Sequence, residues 1–116
     1  MLCVPEADLA AYERRYQRYL QRPARVEGST RVFDLEASRL TLLPASALGE
    51  ILPGEESPAP PAFVACTVAV RDLEATRALL DDSGLPVRTV PSGGLFVPAP
   101  AARGAAVVFT PAPTPW

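Results

Sequence analysis

The chemistry open to this chain is limited first by the absence of histidine. None of the 116 residues is His, so the sequence lacks the usual imidazole base and the commonest metal ligand. Catalytic arrangements that pair His with a serine or cysteine nucleophile are therefore excluded. The remaining candidate for a catalytic base is Asp34, whose carboxyl group could act if burial raised its pKa. The alternative is that Asp34 pairs with Arg39 on a neighbouring strand.

Metal ligands are equally scarce. Cys3 and Cys66 lie in apolar, strand-like runs, and we expect both to be buried free thiols. Of the residues predicted to face a ligand cavity, only Asp34 and Cys3 could bind a transition metal, and two ligands from different strands make a poor site. We therefore expect no metal and no other cofactor. Gly93 and Gly94 predict a turn between strands, because no helix follows them to bind a phosphate.

Composition narrows the class of protein. Hydrophobic residues make up 48% and charged residues 21%, which is typical of a globular domain, and the net charge of −2 offers no basic field for nucleic acid. The length predicts one domain. No segment predicts a membrane span or a signal peptide. We expect a cytoplasmic bacterial protein that binds neither nucleic acid nor membrane.

One sequence pattern occurs twice. An apolar run followed by Asp-Leu and a helix begins at residue 2 and again at residue 63, with Asp8 corresponding to Asp72. Leu9, Tyr12, Tyr16, Tyr19 and Leu20 recur at helical spacing over residues 8–21 and predict a core-facing stripe, with Asp8 as the N-cap residue. The far side carries Arg14, Arg15, Arg18 and Arg22.

Strands are predicted on both sides of this repeat. The first copy has an apolar start at residues 2–4 and strands at 25–27, 31–35 and 39–43, with a short helical turn at 45–52. A proline-rich linker covers residues 53–62. The second copy has a strand at 63–70, a helix at 72–82 and strands at 87–90, 94–97 and 105–109, followed by the tail 111–116, which includes Trp116. Each copy therefore predicts a βαβββ module.

The second copy carries a family resemblance. Residues 67–80, with 84–88, 94–98 and 104–109, resemble the vicinal oxygen chelate superfamily, which includes glyoxalases, extradiol dioxygenases and bleomycin-resistance proteins. The resemblance implies an α+β fold in which tandem βαβββ modules form a curved, incompletely closed mixed sheet around a central cleft. Residues 1–116 would then form one domain with modules at about 1–44 and 63–110.

Metal-binding members of that superfamily use His and Glu side chains from the strands of the modules. Carried over, these positions fall on Ala65, on Val108 and near Thr41, none of which can bind a metal as the family does. The resemblance therefore implies a glyoxalase-like protein without a metal site.

The predicted cleft is lined by small, apolar and weakly polar side chains. We expect it to bind an apolar or aromatic small molecule, with Arg39 contacting a carboxylate or phenolate. This predicts sequestration of an antibiotic or secondary metabolite, by a homodimer if the chain assembles as the resistance proteins do. Two alternatives stay open: a metal-independent isomerase or lyase that uses Asp34 and Arg39, and a structural module of a larger assembly. The candidate ligand-binding residues are Cys3, Asp34, Arg39, Thr41, Thr67, Phe96 and Val108, with Val32 and Ala65 beside them.

Overall fold

The computed structural model describes residues 1–57 and 59–111, which contain nine strands and three helices. The strands are β1 (Leu2–Val4), β2 (Arg25–Glu27), β3 (Thr30–Asp34), β4 (Arg39–Pro44), β5 (Ala62–Phe63), β6 (Ala65–Val70), β7 (Arg88–Val90), β8 (Gly94–Val97) and β9 (Ala106–Pro111). The helices are α1 (Leu9–Leu20), α2 (Leu48–Ile51) and α3 (Leu73–Asp82). The predicted tail lies outside the described residues, except for Pro111.

These elements form two units, residues 1–50 with 56–63 and residues 51–55 with the chain from 64 onward. The first unit contains a mixed sheet in the order β2-β3-β4-β1-β5, in which β1 is parallel to β4. The second contains a mixed sheet in the order β6-β9-β8-β7, in which β6 is parallel to β9. The α+β class and the repeated βαβββ order are thus confirmed.

The core of the first unit lies between α1 and its sheet. Leu2, Val4, Phe33 and Leu42 form a buried cluster, because alternate residues of a strand share one face of the sheet. The predicted stripe on α1 covers this cluster through Leu9, Tyr12, Tyr16 and Leu20.

Tyr19 is a correction to the predicted stripe, because it is 67% exposed. Residues 19 and 20 both satisfy three- or four-residue spacing from Tyr16, but they point about 100° apart around a helix. Leu20 packs against the core, which leaves Tyr19 on the outer side of α1.

The two Asp-Leu repeats begin their helices differently. Asp72 is in an extended conformation, and its side chain accepts a hydrogen bond from the Ala75 amide at 3.0 Å, which is the predicted N-cap. Asp8 occupies the N-cap position without such a bond, because a preceding 3-10 turn at Glu6–Asp8 already gives it a helical backbone.

In the second unit, α3 packs against β8 and β9, and Phe96 is fully buried. The segment 51–55 is tied to this unit by side-chain bonds. Arg88 donates to the Pro53 carbonyl at 3.2 Å, and Glu55 accepts from the Ala99 amide at 2.6 Å.

The predicted strand at 63–70 is interrupted. Its first part, β5, pairs with β1, and its second part, β6, pairs with β9.

The prediction that both cysteines are buried is correct for Cys3 and wrong for Cys66, which is exposed. The physical reason is position in the sheet, since β6 is an edge strand. No helix among the described residues is long and apolar enough to span a membrane.

Candidate functional site

The sheet face opposite α1 in the first unit, hereafter the distal face, carries most of the predicted site. The register pairs Asp34 with Arg39 and Val32 with Thr41 on β3 and β4. On the other side of β4, Cys3 pairs with Leu43. Since these residues alternate with Phe33, Leu40 and Leu42, all of which lie toward α1, they share the distal face. Strand alternation thus places four predicted residues, Cys3, Asp34, Arg39 and Thr41, on one surface.

Polarity changes along β4 on this face. Arg39 is exposed, Thr41 is half-buried and Leu43 is fully buried. Because a strand advances about 3.3 Å per residue, these side chains span about 13 Å. The arrangement provides a charged end, a hydroxyl group beside it and an apolar end.

The charged end is organised by the Asp34 carboxylate. Its Oδ1 is 3.0 Å from Arg39 Nε, and its Oδ2 is 2.9 Å from Arg25 Nε. Arg25 also contacts Glu27, with its Nη1 2.6 Å from Glu27 Oε2. Arg22 donates to the Asp34 carbonyl oxygen. Asp34 is thus held between two guanidinium groups.

These contacts affect the proposed role of Asp34 as a catalytic base. The hydrogen bond from Arg25 is the largest cause lowering the pKa of Asp34, and the positive charge of Arg39 adds to it. The anionic form is therefore favoured, which makes this carboxylate a weaker base than an isolated one. The alternative stated from the sequence, pairing of Asp34 with Arg39, is present. A base role for Asp34 stays a prediction, and the geometry counts against it.

Arg39 has fewer ion-pair partners than Arg25. All three nitrogens of Arg25 contact the carboxylates of Asp34 and Glu27, whereas Arg39 pairs with Asp34 alone among the described carboxylates. A guanidinium group fixed at Nε can still donate two parallel hydrogen bonds to a carboxylate.

Sequence reasoning missed Arg25 and Arg22. The signal for Arg25 was available, because the two-residue turn Gly28-Ser29 sets the β2–β3 register and places Arg25 opposite Val32. Arg25 is then diagonal to Asp34, within reach of a long side chain. The bond from Arg22 depends on the backbone beyond α1, which has no comparable pattern.

Cys3 lies at the apolar end and has no exposed surface. Burial raises the pKa of its thiol, so the neutral form dominates at neutral pH. Cys3 is therefore suited to packing and weak hydrogen bonding rather than to nucleophilic attack.

The remaining predicted residues belong to the second unit. Thr67 of β6 pairs with Val108 of β9, which pairs with Phe96 of β8, so the three share one face of that sheet. Val108 and Phe96 are buried, and Thr67 is exposed.

The fold resemblance implies a divalent metal, but the side chains do not fit one. Ala65 and Val108 are buried and lack donor atoms, and Thr41 has only a hydroxyl group. Within residues 1–57 and 59–111, no three His, Cys, Asp or Glu side chains come together as a metal site would require.

Comparisons with known proteins support the fold. No protein-family model and no curated protein matches the chain. Methylmalonyl-CoA epimerase from Mycobacterium tuberculosis is 19% identical, with a TM-score of 0.54 over 97% of this chain and 85% of that chain. A glyoxalase/bleomycin resistance protein/dioxygenase from Nocardioides is 18% identical, with a TM-score of 0.41 over 93% and 78%. The epimerase similarity supports the predicted α+β fold.

Proposed function

We propose that this protein binds a small apolar or aromatic molecule bearing an acidic group, without a metal, on the distal face of the first sheet. The observation that carries the proposal is the environment of Arg39. Its Nε lies 3.0 Å from Asp34, the one described carboxylate with which it pairs, whereas Arg25 pairs with two carboxylates. Binding rather than turnover is the function, as in sequestration of an antibiotic or secondary metabolite.

The chemistry of the distal face supports this ligand class. An acidic group contacts Arg39, the hydroxyl of Thr41 donates or accepts one hydrogen bond, and the apolar body of the ligand lies along β4 beside them. The weakly basic Asp34 acts by orienting Arg39. Cys3 supports the sheet beneath. The roles of Thr67, Phe96 and Val108 as ligand contacts stay predictions.

The same proposal treats the chain as one domain of two βαβββ modules, about 1–44 and 63–110. The support is the epimerase similarity, which extends over 97% of the chain rather than over one module.

Replacing Arg39 with alanine is expected to weaken binding of aromatic carboxylates by about 10- to 100-fold, because a charge-assisted hydrogen bond contributes about 1.5–3 kcal/mol. The probes are benzoate and cinnamate, each compared with its neutral amide, and the measurement is ligand-observed NMR titration. The neutral amides should bind the Arg39→Ala variant and the original protein alike.

The matched control is Arg71→Ala, which removes an exposed arginine from the second unit and should leave binding unchanged. Treatment with a chelator should also leave it unchanged, since no metal is involved. Failure of the original protein to prefer the carboxylates over the amides would contradict the proposal, as would loss of binding after chelation.

A homodimer is part of the proposal, and the edge of β6 supports it. Within the described chain, β6 pairs only with β9, and Cys66, Thr67 and Val68 are exposed. The strand contains no charge and no proline, the features that commonly protect sheet edges. The carbonyl of Val64 accepts from β9, so the backbone groups of Thr67 and Ala69 point to the free edge. Two copies of β6 can then pair antiparallel about a two-fold axis.

Replacing Val68 with lysine should dissociate this dimer, because pairing would bring two like charges together across the axis. The mass is measured by light scattering after size-exclusion chromatography, with 12.3 kDa for one chain. The matched control is Thr89→Lys, at an exposed position of β7 on the opposite edge of the same sheet. A monomeric original protein, or a Val68→Lys variant that stays dimeric, would overturn the homodimer.

A further inference from the structure

The outer side of α1 carries a feature that the proposed function does not use. Arg14, Arg15, Arg18 and Tyr19 line an open surface depression of about 390 Å³, together with Ala11. These positions are three or four residues apart, which places them on one side of a helix. They are named here the arginine face. It lies on the far side of the first sheet from Arg39, because α1 packs against the opposite face.

The positive charge of the arginine face is not neutralised by the described chain. None of Arg14, Arg15 and Arg18 forms an ion pair with a described carboxylate, whereas Arg25, Arg31 and Arg39 each do. The one acidic residue in the α1 sequence, Glu13, is paired with Arg31 at 2.9 Å. Like charges at this spacing repel one another on a helix. An anionic ligand would relieve that repulsion.

Two aromatic contacts position part of this face. The guanidinium carbon of Arg15 lies 5.0 Å from the centre of the Tyr12 ring, a cation–π contact that restricts its orientation. Tyr19 packs edge-on against Tyr16, with ring centres 5.5 Å apart and planes at 77°. Although Tyr19 is 67% exposed, its ring is therefore supported. The small Ala11 side chain leaves space at the amino-terminal end of the depression.

We infer that the arginine face binds a small molecule carrying two or more phosphate groups. Guanidinium groups donate paired hydrogen bonds to phosphate oxygens, and three such groups exceed what a single carboxylate can occupy. The exposed ring of Tyr19 provides an apolar surface for the rest of the molecule.

The dimensions of the face select a small ligand over a polymer. From Ala11 to Tyr19 the helix rises about 12 Å, and the open depression of about 390 Å³ is comparable in size to a small molecule. A long polyanion would extend beyond the three arginines onto a chain whose net charge is −2. Electrostatic attraction therefore decreases with ligand length beyond this face.

Inorganic pyrophosphate is the probe, measured by isothermal titration calorimetry on the full chain at 20 and 150 mM NaCl. The Arg14→Gln/Arg18→Gln double variant is expected to bind pyrophosphate at least about 10-fold more weakly, since each charge-assisted contact contributes roughly that factor. Arg18→Lys keeps the charge but loses the paired geometry, so its affinity should fall between the two. Binding should weaken at the higher salt concentration.

Arg77→Gln is the matched control, because it removes an exposed arginine from α3 rather than from α1. Circular dichroism verifies that every variant is folded. Absence of pyrophosphate binding at 20 mM NaCl would overturn the inference, and so would equal losses in the double variant and in Arg77→Gln. Tighter binding of a single-stranded 20-nucleotide DNA than of pyrophosphate, lost in the double variant, would replace the small ligand with a nucleic acid. Benzoate binding at Arg39 should be unaffected by the double variant, which separates this inference from the proposed function.

Discussion

Replacing Phe33 with alanine is expected to lower the free energy of unfolding by about 3–5 kcal/mol, as measured for buried phenylalanines in other cores. Phe33 has no exposed surface and packs with Leu2, Val4 and Leu42 beneath α1. The substitution leaves a cavity between the helix and the sheet, which the surrounding side chains fill only in part. Since small domains are stable by only about 5–15 kcal/mol, much of the stability of the protein depends on this ring.

The measurement is urea denaturation followed by circular dichroism, and the melting temperature should fall by more than about 10 °C. The matched control is Val26→Ala. This side chain points to the same sheet face but is 64% exposed at the edge of the sheet, so its loss should change stability by less than about 0.5 kcal/mol. Equal losses in the two variants would contradict a core organised around Phe33.

Phe33 also connects stability to the candidate site. It lies on β3 between Val32 and Asp34, and it pairs with Leu40, the neighbour of Arg39 on β4. Because adjacent residues of a strand face opposite sides of the sheet, the ring that packs under α1 fixes the strand that presents Asp34. Benzoate binding by Phe33→Ala should therefore be lost in proportion to the unfolded fraction.

The helices were predicted from local features. The pattern over residues 8–21 predicted α1, observed at Leu9–Leu20, and residues 72–82 predicted α3, observed at Leu73–Asp82. Apolar helical spacing is a local signal that acts over a few residues. The absent side-chain cap at Asp8 was not predictable in this way, since it depends on a 3-10 turn that follows Pro5.

Predicting which strands lie at the edges of the sheets requires information about pairings between distant residues. Whether Cys66 is buried depends on which strand lies beside β6, and a strand order is set by pairings between distant residues. An apolar run alone does not distinguish an edge strand from a central one. The break between β5 and β6 has the same origin, since each half pairs with a different sheet.

In the candidate site, too, local features were predictable and non-local ones were not. Pairing of Asp34 with Arg39 was predictable because both flank one short hairpin, whose register is set by the turn. The lowered pKa of Asp34 was not predictable in the same way, because it depends mainly on Arg25, which lies two strands away from Arg39. The additional guanidinium group lowers the pKa of Asp34 and so favours its anionic form, while a base role stays a prediction.

Replacing Gly94 with alanine should cost about 1–3 kcal/mol of stability through a steric clash between two strands. A Cβ atom at this position would lie 2.6 Å from the backbone oxygen of Phe109, closer than such atoms approach in folded proteins. Since Gly94 begins β8, which pairs with β9 on one side and β7 on the other, neither strand can move without losing ladder hydrogen bonds. The close approach of β8 to β9 therefore requires glycine here.

Urea denaturation measures the loss, and amide hydrogen exchange locates it, with faster exchange expected at Phe109 and its neighbours on β9. Ser92→Ala is the matched control, because it alters an exposed residue in the turn of the same hairpin and should change stability by less than about 0.5 kcal/mol. An unchanged stability of Gly94→Ala would mean that β8 and β9 lie farther apart than this register places them. Faster exchange confined to the turn, with β9 still protected, would contradict the clash as its cause.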